Sequence, residues 1–338
     1  MTTYKGINGF AVQSVASDPS PLDEGQVWYN NTSYAFKLAG FGSASWASGG
    51  NMPTAIQSGA GFGTQTAAVS AGGSQTDVNY AVTSVFNYNG TSWSPSGAIP
   101  SAKQNIAGFG TQTAGAVVGG LLPTNINPDF VWYSNTDKYN GSSWTASGAY
   151  PTTINFLGTA GIQTAAIAWG GTDTAPLEPG AKNTSNTFNG STWTGAPTLP
   201  VTYVNWLGTG FGTNTDAVGV FSQSPTNAAV YYNGSSWASI NALNNARPGG
   251  GRAFGVVSTA GVFAGGNNPF PKATETFNGT TWTNSTAMST EMGGGGSAGT
   301  FASGLIFSGN ANAAPTYGSV ATEEWTGPAV TAKTITTS

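Results

Sequence analysis

The chain contains no cysteine and no histidine in 338 residues. The first absence excludes a disulfide framework. The second removes the commonest general base and the commonest metal ligand. Charge is scarce as well: Asp, Glu, Lys and Arg make up 7% of the chain, against roughly 25% in typical soluble domains. The surface must therefore be wetted by Asn, Ser, Thr and Gln. The net charge is −4 with only nine basic residues, so no basic stripe is available and nucleic acid is not an expected partner. No apolar run approaches the ~20 residues of a membrane span, and no membrane insertion is expected. The opening MTTYKGINGFAVQS has no basic stretch followed by an apolar one, so no Sec signal is expected. No segment shows a convincing 3.6-residue apolar period, and glycine totals 50; helix should be scarce.

What is present is a repeat. Nearly the same six residues occur five times: YNGTSW ending at Trp93, YNGSSW at Trp144, FNGSTW at Trp193, YNGSSW at Trp237 and FNGTTW at Trp282. The tryptophans are spaced by 51, 49, 44 and 45 residues. A period in the forties with a turn dipeptide and an aromatic in each unit marks a repeat architecture. Asn-Gly between two short β-like runs predicts a two-residue type I′ hairpin turn. A short apolar run ends at Gly-Gly in four units, at Gly72-Gly73, Gly119-Gly120, Gly170-Gly171 and Gly265-Gly266. The pair is weakened to Gly309-Asn310 in the last unit and lost in the fourth, at GVFSQSP.

Six units of four short strands predict an all-β fold, a six-bladed β-propeller of four-stranded blades. The sixth unit has a third strand, SVATEEW, but no terminal Trp signature. The missing strand lies at the other end of the chain, where FGSASW ends at Trp46, in phase with the repeat. Phe41–Trp46 is therefore expected to complete the last blade and close the ring, which removes an open edge. A variant adds Ala35–Leu38 to that blade. Trp46, Trp93, Trp144, Trp193, Trp237 and Trp282 are read as wedges packed between blades rather than as a ligand platform. The expected domains are an N-terminal arm at 1–35, the propeller at 36–328 and a tail at 329–338.

The Gly-Gly before a loop, an aromatic on the third strand and a Trp on the fourth resemble kelch repeats, over about 290 residues. The stretch DPSPLDEGQVWYNNTSYAFKL is similar to short openings of phage virion structural and appendage proteins. The matching residues are Asp18, Pro19, Glu24, Gly25, Gln26, Val27, Trp28, Tyr29 and Asn30. This resemblance implies a virion-associated protein, attached through an arm in which Glu24, Gln26, Trp28 and Tyr29 make the contacts.

No catalytic residues are predicted. A kelch-like copper oxidase would need histidine ligands and a cysteine-linked tyrosine. A six-bladed sialidase would need an arginine cluster, and the chain has only Arg247 and Arg252. The acidic residues are scattered and read mostly as solvated loop charges; Glu323 and Glu324 should point to opposite faces of a strand. No metal or cofactor is predicted, although Asp173 and Glu178 share a loop of calcium-compatible chemistry. The five Asn-Gly-Ser/Thr units are also glycosylation sequons, but the turn reading accounts for them.

Aromatics outside the signature are the candidate ligand contacts: Phe130, Trp132 and Tyr133 on an insert of the second unit, with Phe156 and Trp206 at parallel positions of the third and fourth. Beside Asn and Thr, such rings can stack on sugars while amides bond hydroxyls. The expected role is a non-enzymatic structural or adhesion protein, a phage tail- or head-fibre appendage on the virion surface. Its expected partners are other virion subunits and a host-surface glycan or receptor, and it is expected to be a homo-oligomer. The alternatives are an extracellular filament or coat subunit joined by strand addition and a glycan-degrading enzyme.

Overall fold

A computed structural model describes residues 12–75, 80–123, 130–173, 182–200, 208–223, 226–247, 250–266, 272–310 and 318–336. Every regular element among them is a strand. The chain divides into two compact units, one running from Trp46 to Trp325 and the other made of the residues before Trp46 and after Trp325.

The larger unit holds six four-stranded antiparallel sheets. Their inner strands are Ala60–Thr64, Ala107–Thr111, Asn155–Ile162, Thr209–Gly212, Arg252–Val257 and Gly296–Gly299. In the first sheet the inner strand is followed by Ala67–Ala71, Val85–Tyr88 and Trp93–Ser96, and the next four sheets repeat that order. Each inner strand packs against the next, and Gly296–Gly299 packs against Ala60–Thr64. The sixth sheet takes its outer strand, Ser45–Ser48, from the start of the chain. This strand begins later than Phe41. Ala35–Phe41 lies in a different sheet, so the expected strand Phe41–Trp46 and its variant with Ala35–Leu38 both shift.

The apolar core sits between sheets rather than inside any one of them. Phe86, Tyr88 and Trp93 of the first sheet cluster with Leu305 and Phe307 of the sixth, and the pattern recurs between neighbours. A thin four-stranded sheet buries both faces only against other sheets, which ties the stability of each to its neighbours.

The repeat residues sit in these seams. Each signature Trp stacks on the aromatic opposite it on the third strand, with ring centroids 4.7–5.1 Å apart from Tyr139–Trp144 to Trp325–Trp46. Their indoles also cross to the preceding sheet. Trp93 donates to Thr322 Oγ1 at 2.9 Å, Trp193 to Thr136 Oγ1 at 2.8 Å, Trp237 to Ser185 Oγ at 3.1 Å and Trp46 to Thr274 Oγ1 at 3.0 Å.

The Asn-Gly turns differ from expectation. Tyr88 pairs with Trp93, so the loop has four residues, and only Gly90 has positive φ, at 90°. Asn89 Oδ1 instead accepts the N–H groups of Thr91 and Ser92, each at 2.9 Å. The same side-chain cap forms at Asn140, Asn189, Asn233 and Asn278. Asn can replace a backbone turn in this way, and that removes the need for its own positive φ.

The Gly-Gly pairs take left-handed backbone, as at Gly72 (φ 57°) and Gly73 (φ 99°). Gly72 N–H then bonds Ser84 on the way into its own third strand, and Gly73 N–H bonds Lys103 in the loop leading to the next sheet. A Cβ on Gly120 would lie 2.2 Å from Ile106 Cγ2. In the last unit the pair is Ser308-Gly309, with Ser308 at φ 59°, rather than Gly309-Asn310. In the fourth unit no such pair interrupts the ladder, and Ala217–Gln223 runs on against Thr226–Tyr232.

The smaller unit is a four-stranded mixed sheet, in the order Gln13–Val15, Val27–Asn30, Ala35–Phe41 and Val330–Thr334. Its first pair is parallel. The expected arm and tail are thus strands of one sheet, and the boundary falls near Ser45 rather than at residue 35.

Candidate ligand-binding site

The inner strands surround a cavity of about 490 Å³, lined by glycines and small residues together with Phe62, Phe109, Phe156, Phe211, Phe254 and Arg252. Where the chain enters five of the inner strands, a row of left-handed residues links neighbouring sheets. Ser58, Asn105, Phe156, Gly250 and Gly294 have φ between 56° and 91°. Ser58 N–H donates to Gly294 O, Asn105 to Ser58, Phe156 to Asn105, Gly208 to Phe156 and Gly294 to Gly250, at 2.7–3.1 Å. Left-handed backbone costs a non-glycine residue on the order of 1–2 kcal/mol, and here it satisfies groups that would otherwise be buried without partners. Phe156 is only 5% exposed. Its backbone belongs to this row, and the residue lines the cavity.

Phe130, Trp132 and Tyr133 lie elsewhere. Phe130–Trp132 pairs with Leu121–Pro123 in a hairpin between the second and third strands of the second sheet. Phe130 is 38% exposed, and its ring meets Trp132 edge-on at 6.3 Å. Tyr133 is half-buried beneath them, with Lys103 Nζ 5.6 Å from its ring centre. None of the three lines the axial cavity, so they and Phe156 do not form one site. Trp206 lies outside the described residues.

The acidic residues are largely spoken for, which corrects the reading of solvated loop charges. Asp137 is buried and accepts from Lys103 Nζ at 2.9 Å. Glu275 is buried and accepts from Arg247 Nη2 at 2.8 Å and from Asn244. Glu323 accepts from Ser289 Oγ at 2.6 Å and from the N–H groups of Ser289 and Thr290. All three occupy the second position of a third strand. Each fastens the loop that leads into its own sheet. Burial pulls Lys103 and Arg247 below their ordinary values, while the facing carboxylates pull the other way. Glu324, on the opposite strand face from Glu323, accepts from Tyr88 Oη at 2.6 Å. Burial, followed by that bond, pushes Tyr88 up to about 12. Asp173 pairs with Lys182 at 2.8 Å; Glu178, its expected calcium partner, lies outside the described residues.

Three glutamines fasten the seams unforeseen. Gln65, Gln112 and Gln163 each donate from Nε2 to two carbonyls of the preceding sheet, for example Ala68 and Tyr88 for Gln112, at 2.7–3.0 Å. The recurring Gln-Thr at 65–66, 112–113 and 163–164 is the signal that would have found them.

The attachment residues are also placed. Trp28 is fully buried and donates to Asp18 Oδ1 at 3.0 Å, and Asn30 Nδ2 donates to the same oxygen at 2.8 Å. Asn30 in turn caps Thr32 and Ser33. Tyr29 stacks near Phe36 at 5.1 Å. Gln26 is half-buried and Glu24 exposed. Of the four expected contacts, Trp28 is out of reach of a partner in this fold.

No protein-family model matches the chain, and no curated protein matches it either. Among solved structures it is similar to YjhT, with a TM-score of 0.66 and 14% identity over 83% of this chain and 99% of that one. The likeness carries the fold alone: the chain has a β-propeller-type fold built of small four-stranded antiparallel sheets.

Proposed function

We propose that the six sheets are the blades of a closed kelch-like propeller, with Ser45–Ser48 as the closing strand, and that the protein is a non-enzymatic binding module. The observation that carries the binding role is the insert hairpin, which presents Phe130 and Val131, 38% and 44% exposed, beside the half-buried Trp132. Exposed aromatics on a rigid hairpin suit stacking on a sugar ring. The structural engagement of Asp137, Glu275 and Glu323 favours binding over hydrolysis, since a glycosidase needs two carboxylates free to act on substrate. The similarity of the segment around Asp18–Asn30 to phage virion openings supports a virion appendage, with neighbouring subunits and a host-surface glycan or receptor as partners and a homo-oligomeric state.

A glycan array tests the binding role. The expected result is a hit that Phe130→Ala and Trp132→Ala abolish while the melting curve is kept. A hit that both variants retain in full removes the hairpin from the site. Closure is tested separately by a chain lacking residues up to Ser48. A sharply lowered melting temperature is expected, and an unchanged one overturns the closing strand. The second reading, a filament or coat subunit, is favoured by the exposed edge of the smaller unit's sheet at Val330–Thr334, where an added strand could pair. Polymerisation of the purified protein would select it.

A further inference from the structure

Among the described residues three cations are buried, and they are not treated alike. Lys103 and Arg247 each face a buried carboxylate, at 2.9 and 2.8 Å. Arg252 is 8% exposed and lines the axial cavity, yet among the described residues no carboxylate lies within 4.0 Å of it. Its guanidinium bonds only carbonyls: Nε donates to Gly295 O, and Nη2 donates to Gly294 O at 3.1 Å. Those carbonyls belong to the left-handed Gly294 and its neighbour, and they position the fork without neutralising it. The residues at the same register of the other inner strands are small: Ala60, Ala107, Gly158, Thr209 and Gly296. A buried charge without a counter-charge is costly, and the two carbonyls do not supply one.

We propose that the axial cavity is an anion site in which the Arg252 guanidinium takes the carboxylate of a compact organic acid. Arg252 holds the positive charge, and its remaining N–H groups supply the charge-assisted bonds. Burial pushes the group down to about 10, so it is still cationic at neutral pH. A monoanion is favoured over phosphate. One guanidinium balances one charge, and a second negative charge would be left buried beside Phe62, Phe109, Phe211 and Phe254. The cavity, about 490 Å³, lies within the ~300–1,000 Å³ of small-molecule sites. This site is separate from the Phe130–Trp132 hairpin, and neither stands or falls with the other.

The test is calorimetric titration of the full chain with benzoate and with glucuronate, which distinguish an apolar acid from a sugar acid. Benzamide, glucose and inorganic phosphate serve as controls at matched ionic strength. The expected result is saturable binding of at least one acid, weakened tenfold or more by Arg252→Gln, with no binding of its neutral counterpart. Arg252→Lys should keep the charge but lose the fork and bind more weakly than wild type. Should Arg252→Gln fail to fold, a wild-type crystal soaked in p-bromobenzoate decides. An anomalous bromine peak inside the cavity supports the site, and its absence overturns it. Failure of both acids to bind, equal binding of a neutral counterpart, tighter binding of phosphate or undiminished binding by Arg252→Gln each overturns the proposal.

Discussion

Four seams of the larger unit place a hydroxyl opposite the tryptophan indole of the next sheet, and two do not. The hydroxyls are Thr136, Ser185, Thr274 and Thr322, each at the first position of a third strand. The other two sheets have Val85 and Ala229 at this register. Opposite Val85, Trp144 turns to a backbone acceptor, Gly97 O, at 2.7 Å. Opposite Ala229, Trp282 finds no partner for its buried Nε1. The ring packs on its third-strand aromatic in all six, near-parallel in five and tilted by 56° at Trp46–Trp325, so the packing role of the tryptophan is general and its polar role is local. A buried donor left unpaired costs about 1–3 kcal/mol, and the fold tolerates that at one seam because the ring's apolar burial outweighs it.

The largest effect should come from removing the ring. Trp237→Ala and Trp282→Ala are each expected to cost about 3–5 kcal/mol in denaturant unfolding. Trp237→Ala should cost more, since it also removes the indole's hydrogen bond to Ser185 Oγ, whereas Trp282→Ala removes an unsatisfied group. Equal losses would show that the indole N–H counts for nothing at either seam.

A smaller effect isolates the hydrogen bond. Thr322→Val and Thr136→Val keep the shape and remove the acceptor, so each should lose about 1–2 kcal/mol. The same readout tests how far the repeat could be read in advance. The tryptophan period was plain because one large aromatic recurs in a weakly charged chain. The hydroxyls were not, since Ser and Thr are everywhere and only register picks out Thr136 from Thr145. The turns were placed correctly but mistyped, because the sequence pattern does not distinguish a type I′ backbone from an Asn89-type side-chain cap. Asp137 was misjudged for a different reason: its cation, Lys103, is 34 residues away in the chain. The candidate site was the least legible part. Phe156 looked like a ligand contact, and its parallel with Trp206 carried no sign that a left-handed backbone row runs through position 156. Arg252 was counted only as a missing cluster.

The reverse substitution should gain. Ala229→Ser supplies an acceptor at the Trp282 seam, and about 0.5–1.5 kcal/mol of added stability is expected. In a Trp282→Phe background the gain should vanish, because the phenyl ring has no donor to satisfy. Val85→Thr should gain less, as Trp144 already bonds Gly97.

Among the described residues, the smaller unit offers the one indole paired to a charge, and so the one whose bond should respond to pH. Trp28 Nε1 and Asn30 Nδ2 both donate to Asp18, and these bonds, Asn30 first, hold its carboxyl below the ordinary 3.8. A depressed carboxylate stabilises the fold above its unfolded value, and that contribution is lost as pH falls through the folded one. Asp18 is exposed, so the effect should be local and small. The Trp28 indole N–H resonance should therefore move as pH drops below 3.8, while those of Trp93, Trp193 and Trp237, bonded to hydroxyls, stay in place. Asp18→Asn keeps an acceptor and removes the titration, so it should flatten the Trp28 curve without unfolding the sheet. If the curve survives that substitution, the titrating group is not Asp18.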